Sequence, residues 1–148
     1  MITFEVQNEL TLRVTCRGGG AIFAKAGAFI AGESLNGKNY RFEKMMLGPS
    51  NGGGLAQAAF GALKRRMAGE SLPLMRVNFD GDSVTYYANA GQHVVVYHLE
   101  NGEMISVESE NLLAFTEDCH YDVRFLGAGI FSQKGLATST LTHSRKPR

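Results

Sequence analysis

Cysteine is scarce in this 148-residue chain. Cys16 and Cys119 are the only two, no CxxC spacing joins them, and they read as two buried thiols rather than as a disulfide. An excess of charge is also missing. Fifteen Lys+Arg against fourteen Asp+Glu leave +1, a poor electrostatic footprint for a nucleic-acid binder. There is no long hydrophobic run: the longest apolar stretch, residues 21–31, is interrupted by Lys25 and is far too short to cross a bilayer. The opening Met1-Ile2-Thr3-Phe4-Glu5-Val6 has neither a basic nor an apolar leader region, so no signal peptide is expected and a cytoplasmic location is. What is left, 44% hydrophobic and 20% charged residues, is an ordinary globular composition, and the length suits one full core. Residues 1–148 therefore read as a single compact domain.

Period-two alternation dominates the chain. Leu10, Leu12, Val14 and Cys16 are apolar while Thr11, Arg13 and Thr15 between them are polar, the pattern of a half-buried strand. Gly18-Gly19-Gly20 then gives a turn. Residues 20–31 are echoed at 102–114 with an offset of 83 (105 − 22): Ile22 falls on Ile105, Phe29 on Leu112, Ile30 on Leu113 and Ala31 on Ala114. Upstream of the second copy Val95, Tyr97 and Leu99 alternate as Leu10 to Cys16 do. An internal repeat, 10–34 against 93–117, points to a duplicated β-lobe. Leu12, Val14, Ile22, Phe29, Val95, Tyr97, Ile105, Leu112, Val123 and Phe125 are the expected core, each on the apolar phase of its strand. Further strands are expected over 40–47, around Met75–Phe79 and Val84–Ala88, and over 93–99, 103–107, 111–115 and 119–126.

One stretch has another period. After Pro49 and Gly52-Gly53-Gly54, the residues Leu55, Ala59, Leu63 and Met67 recur at spacing four until Gly69, which predicts one amphipathic α-helix near 54–68. Lys64, Arg65 and Arg66 fall in its last turn, where cations suit the helix dipole, and are the candidates for contact with an anionic surface or partner.

Gly53-Gly54-Leu55, Leu63-Lys64-Arg65, Gly69-Glu70-Ser71-Leu72, Gly91 and Leu112-Leu113-Ala114, in this order and spacing, resemble the family named for altered inheritance of mitochondria, also called the mitochondrial biogenesis family. The resemblance covers residues 10 to 141. It implies a fold similar to the tryptophan RNA-binding attenuator protein, with a repeated short double-stranded β-helix lobe and chains that trimerise. It implies no enzyme activity, and the family's eukaryotic members are linked to organisation of the mitochondrial inner membrane. Pattern and resemblance together predict a mainly β chain of duplicated double-stranded β-helix or β-sandwich lobes plus the 54–68 helix. Where the family would continue into a third lobe, this sequence runs into His143-Ser144-Arg145-Lys146-Pro147-Arg148. The last strand before Thr142 is thus expected to lack a neighbour, with 142–148 a basic tail, and the chain is expected to close into a homo-oligomer, a trimer by resemblance.

Chemistry is thinly represented. A cupin-type metal site needs two histidines pointing the same way, but His93 and His98 are five apart, and odd spacing in a regular strand sends side chains to opposite faces. Glu100 shares the face of His98, yet a lone His–carboxylate pair is an ordinary surface contact. Gly52-Gly53-Gly54 lacks the Gly-Lys-Ser/Thr ending of a phosphate loop. No Ser, His and Asp set sits in a nucleophile setting. No catalytic, cofactor-binding or metal-ligating residue is therefore assigned. The leading function is a non-catalytic oligomeric β-scaffold that holds a protein or membrane-associated partner. The alternatives are an RNA-binding ring, by fold analogy alone and against the near-zero charge, and a cupin-type small-molecule or metal-binding enzyme.

Overall fold

Along Thr11–Cys16 every second side chain is buried and the ones between are half-buried, so the polar alternation of the sequence is also the alternation of the structure. The computed structural model describes residues 1–45, 74–125 and 137–143. Among them are eleven strands: β1 Ile2–Gln7, β2 Thr11–Cys16, β3 Gly20–Lys25, β4 Phe29–Ser34, β5 Tyr40–Met45, β6 Leu74–Phe79, β7 Ser83–Tyr87, β8 Met104–Val107, β9 Ala114–Thr116, β10 Cys119–Phe125 and β11 Ala137–His143. Two short 3-10 turns, Leu35–Gly37 and Ser109–Asn111, complete the elements. The chain is mainly β, as its alternation predicts. The helix expected near 54–68 lies outside the described residues.

Contacts divide the chain into two units. The first comprises Met1–Lys44, Met75–His98 and Leu113–Glu117, and the second Met45–Leu74, Leu99–Leu112 and Asp118–Arg148. The first unit is a sandwich of two sheets with strand orders β1-β2-β7-β4 and β5-β6-β3-β9. Register places the apolar residues of one sheet on a common face: Phe4 opposes Val14, Val14 opposes Thr85, and Leu12 opposes Tyr87. From the other sheet Ile22, Ala24, Met75, Val77 and Phe79 join the same core, and Val94, Val96 and Phe29 pack on its rim. Fully burying a side chain such as Val14, Ile22 or Val77 contributes about 1.5–3 kcal/mol each.

Glycine matters at two places. The β2–β3 connection runs Gly18, Gly19 and Gly20 at φ 81, 116 and 150, conformations that L side chains rarely adopt, and the Gly18 amide donates to Asp82 Oδ1 at 2.7 Å. In β4, a Cβ on Gly32 would stand 2.5 Å from Tyr40 Cζ. The missing side chain makes room for the Tyr40 ring, which lies 5.8 Å from both Phe29 and Phe42, centroid to centroid. Among the described residues Tyr87 is the largest fully buried side chain; its hydroxyl donates to Thr85 Oγ1 at 3.0 Å, and burial pushes its pKa up to about 12.

The second unit holds a three-stranded antiparallel sheet, β10-β11-β8. Tyr121 and Leu141 oppose one another across it and are buried, as is Leu112. Here the sequence misleads. The last strand does not lack a neighbour: β11 is the centre of its sheet, paired with β10 on one side and β8 on the other. Thr142 and His143, read as the start of a tail, finish that strand.

Leu12, Val14, Ile22 and Leu112 are buried as expected, while Phe29 and Ile105 are half-buried. Val95 and Tyr97 are not core. They are 69% and 70% exposed, and Val94 and Val96 turn inward in their place. The run Val94-Val95-Val96 is apolar on both phases, so alternation alone does not say which is inside. The side chains of Val123 and Phe125 lie outside the described set. Residues 10–34 hold β2, β3 and β4, whereas 93–117 hold β8 and β9 and the expected strand over 93–99 belongs to no sheet.

Candidate binding surface

After β7 the chain makes a tight turn whose residues Ala90 and Gly91 have φ of 50 and 77. A left-handed alanine costs on the order of 1 kcal/mol and persists where its surroundings hold it. Asn89, buried beside it, supplies the hold: its Oδ1 accepts from Lys25 Nζ at 2.8 Å, its Nδ2 donates to Gln92 Oε1 at 2.8 Å, and its carbonyl accepts from the Gln92 amide at 2.9 Å. The turn aims the next segment at the tip of the β1–β2 hairpin, where the Val94 amide donates to the Glu9 carbonyl at 2.8 Å. Val94 and Val96 then pack on the core, and Val95 and Tyr97 face outward. Val6 and Leu10, near the hairpin tip, are exposed as well. The segment is in no sheet among the described residues and is apolar on its outer side as well as its inner side, while Ile30, Leu35 and Phe42 are the exposed large apolar side chains around β4 and β5.

The outer face of the β5-β6-β3-β9 sheet contrasts with it. Arg76 Nε donates to Asn78 Oδ1 at 2.9 Å, Arg76 Nη2 meets Glu117 Oε2 at 3.1 Å, and its guanidinium carbon lies 5.8 Å from the Phe23 ring centroid. Phe23 in turn stacks on Phe115 at 5.3 Å. Arg41 pairs with Asp80 at 3.0 Å, and that carboxylate holds the Arg41 guanidinium pKa above its ordinary value. These groups satisfy one another, which makes this face a cross-strand ladder.

Lys64, Arg65, Arg66 and the Gly52-Gly53-Gly54 turn lie outside the described residues. His93 and His98 are both exposed, and His93 Nε2 stands 3.9 Å from Glu9 Oε2. Among the described residues no three of His, Cys, Asp and Glu are grouped as a metal ion would require. Among the same residues no helix is long and apolar enough to cross a membrane. Sequence reasoning missed one arrangement, the contact of His143 Nε2 with Asp118 Oδ2 at 3.0 Å, because the two are 25 residues apart and only the β10–β11 register joins them.

The family model described as Mitochondrial biogenesis AIM24 matches residues 4–144. The chain belongs to this family. No curated protein matches the sequence. Among solved structures, this AIM24-family chain is similar to protein SPYM3_0169 from Streptococcus pyogenes, with a TM-score of 0.66 and 17% identity over 97% of this chain. It spans 61% of the length of that protein, and identity at this level speaks for the fold alone.

Proposed function

We propose that this AIM24-family chain is a non-catalytic β-scaffold that works by assembly, copies of it associating into a closed homo-oligomer that holds a protein or membrane-associated partner. The observation that supports this reading is the outward apolar row of Val95 and Tyr97, 69% and 70% exposed on a segment that belongs to no sheet among the described residues. Burying two such side chains against another copy removes from water surface of the kind that drives association. The polar pairs on the outer face of the other sheet, Arg41 with Asp80 and Arg76 with Glu117, favour the 93–98 segment as the contact.

Light scattering coupled to size exclusion tests it. The expected mass is a multiple of 16.1 kDa, and a V95D/Y97D double variant should run as a single chain with its fold retained. A wild-type mass near 16.1 kDa at micromolar concentration overturns the assembly. Mass spectrometry of proteins retained from native lysate by the wild type and not by the double variant then identifies what the scaffold holds.

A further inference from the structure

Asparagine followed by glycine has a chemistry of its own, because no glycine side chain obstructs the approach of the main-chain nitrogen to the asparagine carboxamide. The sequence holds three such pairs, beginning at Asn36, Asn51 and Asn101. The first and the third are among the described residues. Asn36 and Gly37 have φ of 67 and 62, the two left-handed conformations for which Asn-Gly is favoured, and they form the tip of the β4–β5 connection. Leu35, Asn36, Gly37 and Lys38 are all exposed. The base of this turn is pinned instead: the Asn39 amide donates to Ser34 Oγ at 3.3 Å, Asn39 Nδ2 donates to the Asp82 carbonyl at 3.0 Å, and the Asn39 carbonyl accepts from the Asp80 amide at 2.8 Å. Among the described residues no hydrogen bond from another element reaches Asn36 or Gly37, and a Cβ on Gly37 would meet nothing within 4 Å.

Asn101 and Gly102 are held differently. The Gly102 amide donates to the His143 carbonyl at 2.8 Å, and the Glu103 carbonyl accepts from the His143 amide at 3.1 Å. Within the turn the Glu103 amide donates to the Glu100 carbonyl at 3.0 Å, and the Glu100 amide donates to Glu103 Oε2 at 2.8 Å. This turn is tied to the last residue of β11, so its glycine nitrogen is occupied and two bonds to a distant strand must break before it is released. Each bond that has to break first lowers the population of the open turn roughly 2–12-fold. Opening at 35–38 has no such requirement.

We propose that Asn36 is a site of spontaneous conversion to aspartate and isoaspartate, and that the fold directs this chemistry to the β4–β5 turn by protecting Asn101. At ψ 7 the Gly37 nitrogen is turned away from the Asn36 side chain, so the reaction starts from the opened turn. The Gly37 nitrogen gives up its proton to solvent and attacks Asn36 Cγ. A C–N bond forms, the bond from Cγ to Nδ2 breaks, and ammonia leaves behind a five-membered cyclic imide. Water then opens the ring. Addition at Cγ restores an ordinary main chain with an aspartate, whereas addition at the main-chain carbonyl carbon leaves Cγ in the main chain as isoaspartate. One water is consumed, one ammonia is released, and nothing is oxidised or reduced. Either product puts a carboxylate where a neutral amide stood and takes the formal charge of the chain from +1 to 0 (+1 − 1). The pinned base at Ser34 and Asn39 confines the lengthened isoaspartate backbone to the tip. The inference is independent of the scaffold reading.

The test keeps the folded, full chain in mildly alkaline buffer made with heavy-oxygen water, then digests samples taken over time and locates each conversion by tandem mass spectrometry. Asn36 should take up one heavy oxygen and appear as two chromatographically separate products, aspartate and isoaspartate. Asn101 should convert at least roughly fivefold more slowly, the low end for two bonds that must break first. In concentrated urea, where neither turn is formed, the two asparagines should convert at similar rates. Equal rates in the folded chain, or a faster Asn101, overturn the proposal. So does a difference of the same size in urea, which would put its cause in the flanking residues and not in the fold. Aspartate without isoaspartate at Asn36 overturns the cyclic route.

Discussion

Replacing Tyr87 with Phe should weaken the protein at neutral pH and protect it from alkali. The ring is fully buried and its hydroxyl donates to Thr85 Oγ1, which is buried too. Losing that bond costs about 0.5–1.5 kcal/mol, and more if the stranded threonine hydroxyl finds no other partner. The wild-type phenol has its folded pKa raised to about 12, against about 10 in an unfolded chain. A raised acid favours the protonated form in the fold, so its contribution is complete below pH 10 and is lost as the pH climbs through 12. By linkage the loss is about 1.4 kcal/mol at pH 11 and about 2.7 kcal/mol once both states are ionised. Tyr87→Phe has no such term, and the remaining tyrosines are common to both proteins. Urea unfolding at pH 8 and pH 11 measures the difference: wild type should lead by about 1 kcal/mol at pH 8 and lose that lead at pH 11. A gap of the same size at both values refutes the argument that burial has shifted this hydroxyl.

Gly32→Ala should cost about 1–3 kcal/mol through its clash with the Tyr40 ring, and Gly32→Ala/Tyr40→Leu should lose less than the two single changes summed, as thermal melts of all three will show. Leu112→Ala should destabilise by about 2–5 kcal/mol, since that side chain is buried; an unchanged melting temperature would remove Leu112 from the core. Arg41→Ala, which breaks an exposed pair with Asp80, should leave the melting temperature within scatter.

Whether a strand can be read from sequence depends on whether its apolar residues occupy one phase or two. Along β2, Thr11, Arg13 and Thr15 exclude one face, so the alternation by itself puts Leu12 and Val14 inside. Along 94–96 three valines fit either face, and packing against the core, with the Val94–Glu9 hydrogen bond, decides what alternation cannot. β11 is hidden for the opposite reason. Ala137-Thr138-Ser139-Thr140-Leu141-Thr142-His143 offers one large apolar side chain, yet threonine suits a pleated strand, and pairing on both sides compensates for what Leu141 alone cannot bury. The family is legible because Gly-Gly-Leu, Gly-Glu-Ser-Leu and Leu-Leu-Ala follow in order, and the model match over 4–144 agrees. The His143–Asp118 contact is not legible, since it exists only once a distant strand has found its register. Lys64, Arg65 and Arg66, the side chains that the sequence singles out for an anionic surface, lie outside the described residues.

The order β1-β2-β7-β4 has a cost in time. Strand β2 cannot complete its second edge until β7 is made, and β4 likewise docks on β7 rather than on the hairpin that precedes it in sequence. As the chain leaves a ribosome at about 5–20 residues per second, the first four strands therefore wait several seconds with one hairpin formed and its far edge open. Pairings this distant in sequence must also close long loops before any contact compensates for the lost entropy, which places refolding of the sandwich in the millisecond-to-second range of β-rich domains. During that wait the alternating apolar face of β2, which later becomes the centre of the core, is the segment that a chaperone or a second nascent copy meets first.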